Sequence, residues 1–380
     1  MQDDLQVPNP ELQPVKPRER IYWLDFAKSY GMFLVFLGHI LEAYWLNGYA
    51  AAFVPYKFIY SFHIPLFFIL SCYVSRDSDL DFYTYLKTKL FPRLIIPFIF
   101  FNCSFILIES SRDIVSGSFN FSSLTQALWE LMMGQPSNVV TWFLLCLFWM
   151  KVIDFAITSR TTSQPVKLVA VIGLFAVGWL VTFSFDFLKF GLWFFPEAFV
   201  AYLFYYLGSA LKPYKLFSSY GSLKDLFGFL LALSLTLMTF SLNHTAFVSD
   251  AKSFSLNMAF STHGDPILFL FTALTGSLGI IFFAKLLSRN VALRSLQTRL
   301  GLQFIGRNTL IYLGLNGFLF SINHAVALKS KTYLPDSLPT ILAASIVLTV
   351  VSLCLCLPFA ILLKKFIPQA AGLAKVKHQG

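Results

Sequence analysis

Apolar runs of about twenty residues, separated by short polar connections, follow one another along almost the whole chain. Ten are read, at 21–46, 56–75, 92–110, 139–158, 166–185, 192–211, 225–243, 266–287, 302–327 and 339–365. A helix rising 1.5 Å per residue crosses a hydrocarbon layer of about 30 Å in such a length. The pattern predicts an all-α, polytopic transmembrane helical bundle. Pro196 and Glu197 interrupt the start of the sixth run, and proline is tolerated in a membrane helix when neighbours satisfy the freed carbonyl. The longest connection, 111–138, is rich in Ser and Asn and carries an amphipathic stretch from Leu124 to Met133. That stretch fits an interfacial or re-entrant helix and a plain polar loop equally well. The domain division is a tail of residues 1–20, a transmembrane domain over 21–366 and a tail of 367–380. No separate soluble domain and no internal repeat is read.

The charges orient these spans. With the N-terminus in the cytoplasm, 23 of the 29 Lys and Arg residues fall at inner connections and 6 (Lys57, Arg112, Lys189, Lys252, Lys329 and Lys331) at outer ones. Such asymmetry is the positive-inside pattern, and it places both termini in the cytoplasm. The net charge of +10 is thereby explained by the inner surface and its anionic lipids, so membrane lipids are expected as partners and nucleic acid is not. Only 13% of residues are charged, against about 25% in soluble domains, which excludes soluble and disordered classes. The cysteines (Cys72, Cys103, Cys146, Cys354 and Cys356) sit in apolar runs without CxxC spacing. Neither a zinc site nor a disulfide framework is expected. Residues 1–20 are polar and proline-bearing, unlike a cleavable signal peptide.

Ionisable side chains inside a membrane span are costly and call for a reason. The first span carries Asp25, Lys28, His39 and Glu42. Lys28 and His39 are eleven residues apart, which at about 100° per residue brings them within about 20° of the same face, about 16 Å apart along the axis. Asp25 lies three residues before Lys28, and Glu42 three after His39, so all four share one stripe. The second span places His63 beside a mid-helix proline in Ser61-Phe62-His63-Ile64-Pro65. The third opens with Phe91-Pro92-Arg93 and continues to Pro97, and the fourth with Thr141-Trp142-Phe143-Leu144. Taken alone, His63 and Trp142 also fit a helix–helix hydrogen bond and interfacial packing.

These motifs resemble the integral-membrane acyltransferase family 3. They are Leu24-Asp25-Phe26-Ala27-Lys28, Gly38-His39, Phe62-His63-Ile64-Pro65-Leu66-Phe67-Phe68, Arg93 with Pro97, and Trp142-Phe143-Leu144. Within that family the chain is similar to the fucose 4-O-acetylase-like and nodulation-type sugar O-acetyltransferases. Gly306-Arg307-Asn308-Thr309-Leu310-Ile311-Tyr312 resembles the family's late glycine-asparagine-serine segment. Two positions depart from the pattern: Tyr312-Leu313 is not followed by the usual histidine, and Cys72 replaces a usual glycine.

The resemblance implies a multi-pass enzyme of the cell inner (plasma) membrane, an O-acetyltransferase with acetyl-CoA as co-substrate and no metal. The implied acceptor is a hydroxyl of a carbohydrate: a polysaccharide, an O-antigen or a lipid-linked sugar. Lys28, Arg93 and Arg307 are expected to hold the polyanionic donor at the inner rim. His39 is expected as general base, since an imidazole accepts and returns a proton near neutral pH; Glu42 would fix its tautomer. Lys28 completes the expected catalytic set. His63, Trp142, Asn308 and Glu197 are expected on the substrate side, with His63 and Trp142 lining the passage or polarising the thioester carbonyl. His244, His263, Asp265 and His324 read as solvated surface groups near the outer face. A transporter or flippase of lipid-linked sugars or acyl groups is the alternative, because midplane His and Lys and broken helices also mark translocation paths.

Overall fold

The computed structural model describes residues 21–74, 80–184, 192–212, 221–243 and 256–373. Their regular structure is helical, apart from one isolated bridge between Asn257 and Thr262. The helices, in chain order, begin with α1 (Tyr22–Leu46), α2 (Phe53–Tyr60) and α3 (His63–Val74). Then come α4 (Phe82–Tyr85), a π-helical stretch Leu86–Ile95, α5 (Ile96–Ser116), α6 (Phe121–Met132), α7 (Trp142–Thr158) and α8 (Gln164–Ser184). The remainder are α9 (Phe195–Leu211), α10 (Ser222–Thr239), α11 (Pro266–Arg289), α12 (Val291–Arg299), α13 (Leu302–Arg307), α14 (Thr309–Ser330) and α15 (Leu338–Phe366).

Among the described residues, nine helical segments are long and apolar enough to cross a membrane. The sixth predicted span is α9, whose 17 residues extend about 25 Å. Most of its side chains from Pro196 to Tyr205 are buried, so it is a core element of the bundle.

Helix α1 is the axis. It is apolar nearly all round, as a helix enclosed by others must be, and packs against α2, α3, α11, α13, α14 and α15. Gly306 of α13 lies where a Cβ would collide with the backbone carbonyl of Asp25. Only glycine permits this approach, which seats α13 against the start of α1. A second close approach occurs at Gly38, where a Cβ would stand 2.9 Å from the Tyr60 ring.

Three spans differ from the pattern read in the sequence. The second is broken between α2 and α3 at Ser61–Phe62, because Pro65 has no N–H to continue the ladder. The third is far longer, a continuous helical segment Phe82–Ser116. Pro92 marks no start there, since the wide π turn around it absorbs the missing donor. The ninth is divided at Asn308 between α13 and α14. In the long connection, α6 is a helix begun by the Asn120 side chain accepting from Ser122 N at 2.9 Å, with Phe121, Leu128, Trp129 and Met132 exposed. Such a face fits the membrane interface rather than a plain loop.

Charge is also buried between α10 and α11. Asp225, fully buried, meets Lys285 Nζ at 2.9 Å and Arg289 Nε at 2.6 Å.

Candidate functional site

Two cavities open along α1. Lys28 borders an inner one, with Ile64, Leu94, Leu147, Thr309 and Leu310. His39 and Glu42 border an outer one, with Tyr60, His63, Ile64 and Trp142. Ile64 belongs to both walls, so the cavities meet at that side chain. One straight helix thus sets an ammonium in one chamber and an imidazole in the other.

The outer cavity holds an oriented histidine. His39 Nδ1 lies 3.1 Å from Glu42 Oε2 and 3.1 Å from the Tyr60 hydroxyl, while that hydroxyl donates to Glu42 Oε2 at 2.8 Å. The ionised carboxylate only accepts, so Nδ1 carries the proton and donates to it. Nε2 then bears the lone pair, and it has no partner among the described residues. Glu42, on the next turn of the same helix, holds the His39 ring in this orientation. Tyr60 belongs to α2 and reaches the pair because Gly38 leaves room for its ring. Replacing Tyr60 by phenylalanine is expected to lower turnover roughly tenfold with the fold intact, since a hydrogen bond to a charged group contributes about 1.5–3 kcal/mol. Steady-state kinetics on the purified variant checks this.

His63 is tied differently. Its Nδ1 donates to the Ile59 carbonyl at 2.9 Å, a bond supplied by the break between α2 and α3. A carbonyl cannot donate, so neutral His63 presents Nε2 as an acceptor. Trp142 offers the opposite chemistry, an indole N–H that only donates. Of the two residues expected to line the passage or polarise a carbonyl, only Trp142 can donate to an oxygen while His63 is neutral. Trp142 is placed by a buried network. Asn102 Nδ2 donates to Thr141 Oγ1 at 2.9 Å, Asn102 Oδ1 accepts from Asn138 N at 2.9 Å, and Asn138 Nδ2 donates to the Gly314 carbonyl at 2.9 Å. The network ties α5 and α14 to the head of α7.

The remaining expected residues divide. Arg93 is exposed beside Leu94, and Arg307 is exposed two residues before Thr309; both therefore flank the inner cavity without lining it. Asn308 is buried, and its Nδ2 donates to the Phe304 carbonyl at 2.6 Å. It secures the α13–α14 break and borders neither cavity. Glu197 is buried away from the cavities, with Oε2 accepting from Ser261 Oγ at 2.8 Å and Oε1 2.9 Å from His263 Nε2. The expectation of solvated outer histidines is corrected for two of them. His263 is buried on Glu197, and His324 is half-buried with Nδ1 3.2 Å from Asn47 Nδ2, because each has a polar partner within the bundle. Asp265 is exposed and caps α11 through Ile267 N and Leu268 N. His244 lies outside the described residues. Among the described residues no group of three His, Cys, Asp or Glu is arranged to hold a metal ion.

Sequence reasoning did not find Tyr60 or the loop residues Asn257 to Phe260, which also border the outer cavity. The Gly38-His39 pair was a signal for the former, since a glycine before a buried histidine leaves room for a partner ring. For the loop no comparable signal exists.

Comparison with known proteins agrees with this architecture. Residues 21–364 match the family model described as an acyltransferase domain. A stretch of 127 residues is 32% identical to "Nodulation protein NolL" of Mesorhizobium japonicum, covering 31% of each chain. The match therefore spans about a third of that relative's length. No solved structure matches. A family model that runs from the residue before the central helix almost to the end of α15, on a bundle of apolar helices long enough to cross a bilayer, identifies the chain as a multi-pass membrane protein that belongs to the acyltransferase 3 family.

Proposed function

We propose that the protein transfers an acetyl group from acetyl-CoA, entering from the cytoplasmic side of the plasma membrane, to a hydroxyl of a cell-surface or lipid-linked carbohydrate. The observation that carries this reading is the pair of cavities meeting at Ile64, one with Lys28 and the other with the Glu42-oriented His39. Eleven residues of helix separate the two groups by about 16 Å, a span comparable with the slender arm that ends in the donor's thioester. The nucleotide end stays at the inner rim near Lys28, Arg93 and Arg307, while the thioester reaches His39. The carbohydrate acceptor follows from the resemblance of the chain's motifs to sugar O-acetyltransferases.

In the transfer, His39 Nε2 takes the proton of the acceptor hydroxyl as its oxygen attacks the thioester carbon. The imidazolium is stabilised by Glu42. Collapse of the tetrahedral intermediate breaks the C–S bond, and the proton on His39 passes to the departing thiolate. His63, with Nε2 as acceptor, is suited to orient the attacking hydroxyl.

The test incubates purified protein with acetyl-CoA and the carbohydrate extract of a strain deleted for this protein. Released thiol and new acetyl esters, read by mass spectrometry, are expected together. Movement of substrate across vesicles without either product would overturn the enzymatic reading in favour of transport. Replacing Lys28 by alanine is expected to raise the KM for acetyl-CoA by about 10- to 100-fold with a much smaller change in kcat, because a charge-assisted bond to a group remote from the reacting carbon contributes about 1.5–3 kcal/mol to binding.

A further inference from the structure

Two side chains that border the outer cavity carry nitrogen donors with no acceptor among the described residues. Asn257 lies in the loop before α11, is 7% exposed and borders this cavity. Its Oδ1 accepts from Ala259 N at 3.0 Å. That bond fixes the orientation of the amide, because a backbone N–H requires the oxygen. Nδ2 is thereby left as a donor without a partner among the described residues. Trp142 is 5% exposed, borders the same cavity, and its Nε1–H has no acceptor among the described residues either. Donors that no protein group occupies on the wall of one chamber are available to whatever binds there, and a few such polar groups fix a ligand's orientation.

The loop that carries Asn257 is rigidly built. Its ends are paired, with Asn257 N donating to Thr262 O at 2.9 Å and Thr262 N to Asn257 O at 3.0 Å. Ser261 turns the chain with φ of 50° and binds Glu197. Asn243 fastens the next residues, donating to the His263 carbonyl at 3.0 Å and accepting from Asp265 N at 2.7 Å. Both oxygens of Glu197 serve this loop. Glu197 is therefore a positioning residue for Asn257 rather than a ligand of the acceptor.

We propose that Asn257 Nδ2–H and Trp142 Nε1–H form the oxyanion-binding site of the acyl transfer. The assignment rests on the proposed function. When the hydroxyl oxygen attacks, the π pair of the thioester C=O moves onto its oxygen, and the two N–H groups receive that negative charge. When the C=O reforms, the C–S bond breaks and the thiolate leaves with the proton held by His39. Fixed donors stabilise such charge strongly, because nothing need reorganise as it develops. Neutral His63 cannot substitute, since its Nε2 accepts.

The decisive variant is Asn257→Asp. Aspartate is isosteric and keeps the oxygen that caps Ala259 N, but it lacks the donor. With acetyl-CoA and the deletion-strain carbohydrate extract, kcat is expected to fall about 100-fold while the KM for acetyl-CoA stays within about threefold. Trp142→Phe keeps the ring packing, loses Nε1–H and is expected to lower kcat similarly; it carries the test if Asn257→Asp does not fold, as judged by gel filtration. A kcat within about threefold of wild type in a folded Asn257→Asp protein, or in Trp142→Phe where that must stand in, would overturn the oxyanion assignment alone. Wild-type protein that releases no thiol would overturn the acetyl-transfer reading and this assignment with it.

Discussion

Replacing His39 by alanine is expected to leave the bundle folded and to lower acyl transfer by about 10²–10⁴-fold, the range of a lost general base. The side chain is 16% exposed and borders a cavity, so its removal enlarges a space that already exists instead of opening one in the packed core. The kinetic signature should differ from that of Lys28→Ala. Loss of the base lowers kcat and kcat/KM together, whereas loss of the inner cation acts on the KM for the donor. Glu42→Gln should fall between wild type and His39→Ala, because Nε2 remains while the charge behind Nδ1 is gone. Purification, a gel-filtration check and thiol-release kinetics decide the matter; wild-type turnover in His39→Ala would remove this residue from the chemistry.

The second large effect concerns stability. Asp225→Ala leaves Lys285, 2% exposed, without its carboxylate between α10 and α11, and breaking a buried ion pair from one side costs about 3–5 kcal/mol. A lower midpoint of thermal unfolding in detergent is expected. The double variant Asp225→Ala with Lys285→Met removes both charges and should recover most of the loss, since replacing a whole buried pair by apolar groups is often neutral. A single variant as stable as wild type would show that water or another hydrogen-bond acceptor already satisfies Lys285.

What the chain made legible follows from its periodicity. The helical repeat and the cost of charge in hydrocarbon were enough to place Lys28, His39 and Glu42 on one side of the first span, and the structure has all three bordering cavities. Trp142 and His63 were found through short motifs, but their hydrogen-bonding roles were not. Those roles depend on the Ile59 carbonyl for His63 and on the free indole N–H for Trp142, which only the folded backbone reveals. Glu197 was legible as an unusual carboxylate at a helix start. Its partners come from a loop more than sixty residues later, so its task was not. Tyr60 and Asn257 were missed because each acts through a contact between separate elements that only the fold brings together. The π-helical stretch was missed because Pro92 looks the same in sequence whether it begins a helix or sits within a widened one.

The meeting of the two cavities at Ile64 has a consequence for the cell's energy supply. Recesses that reach into a membrane protein from opposite ends offer water, and hence protons, a route down the electrochemical gradient. Here the branched hydrocarbon side chain of Ile64 belongs to both walls. The bulk of that side chain therefore bears on how well the bundle insulates as well as on what can cross from one chamber to the other.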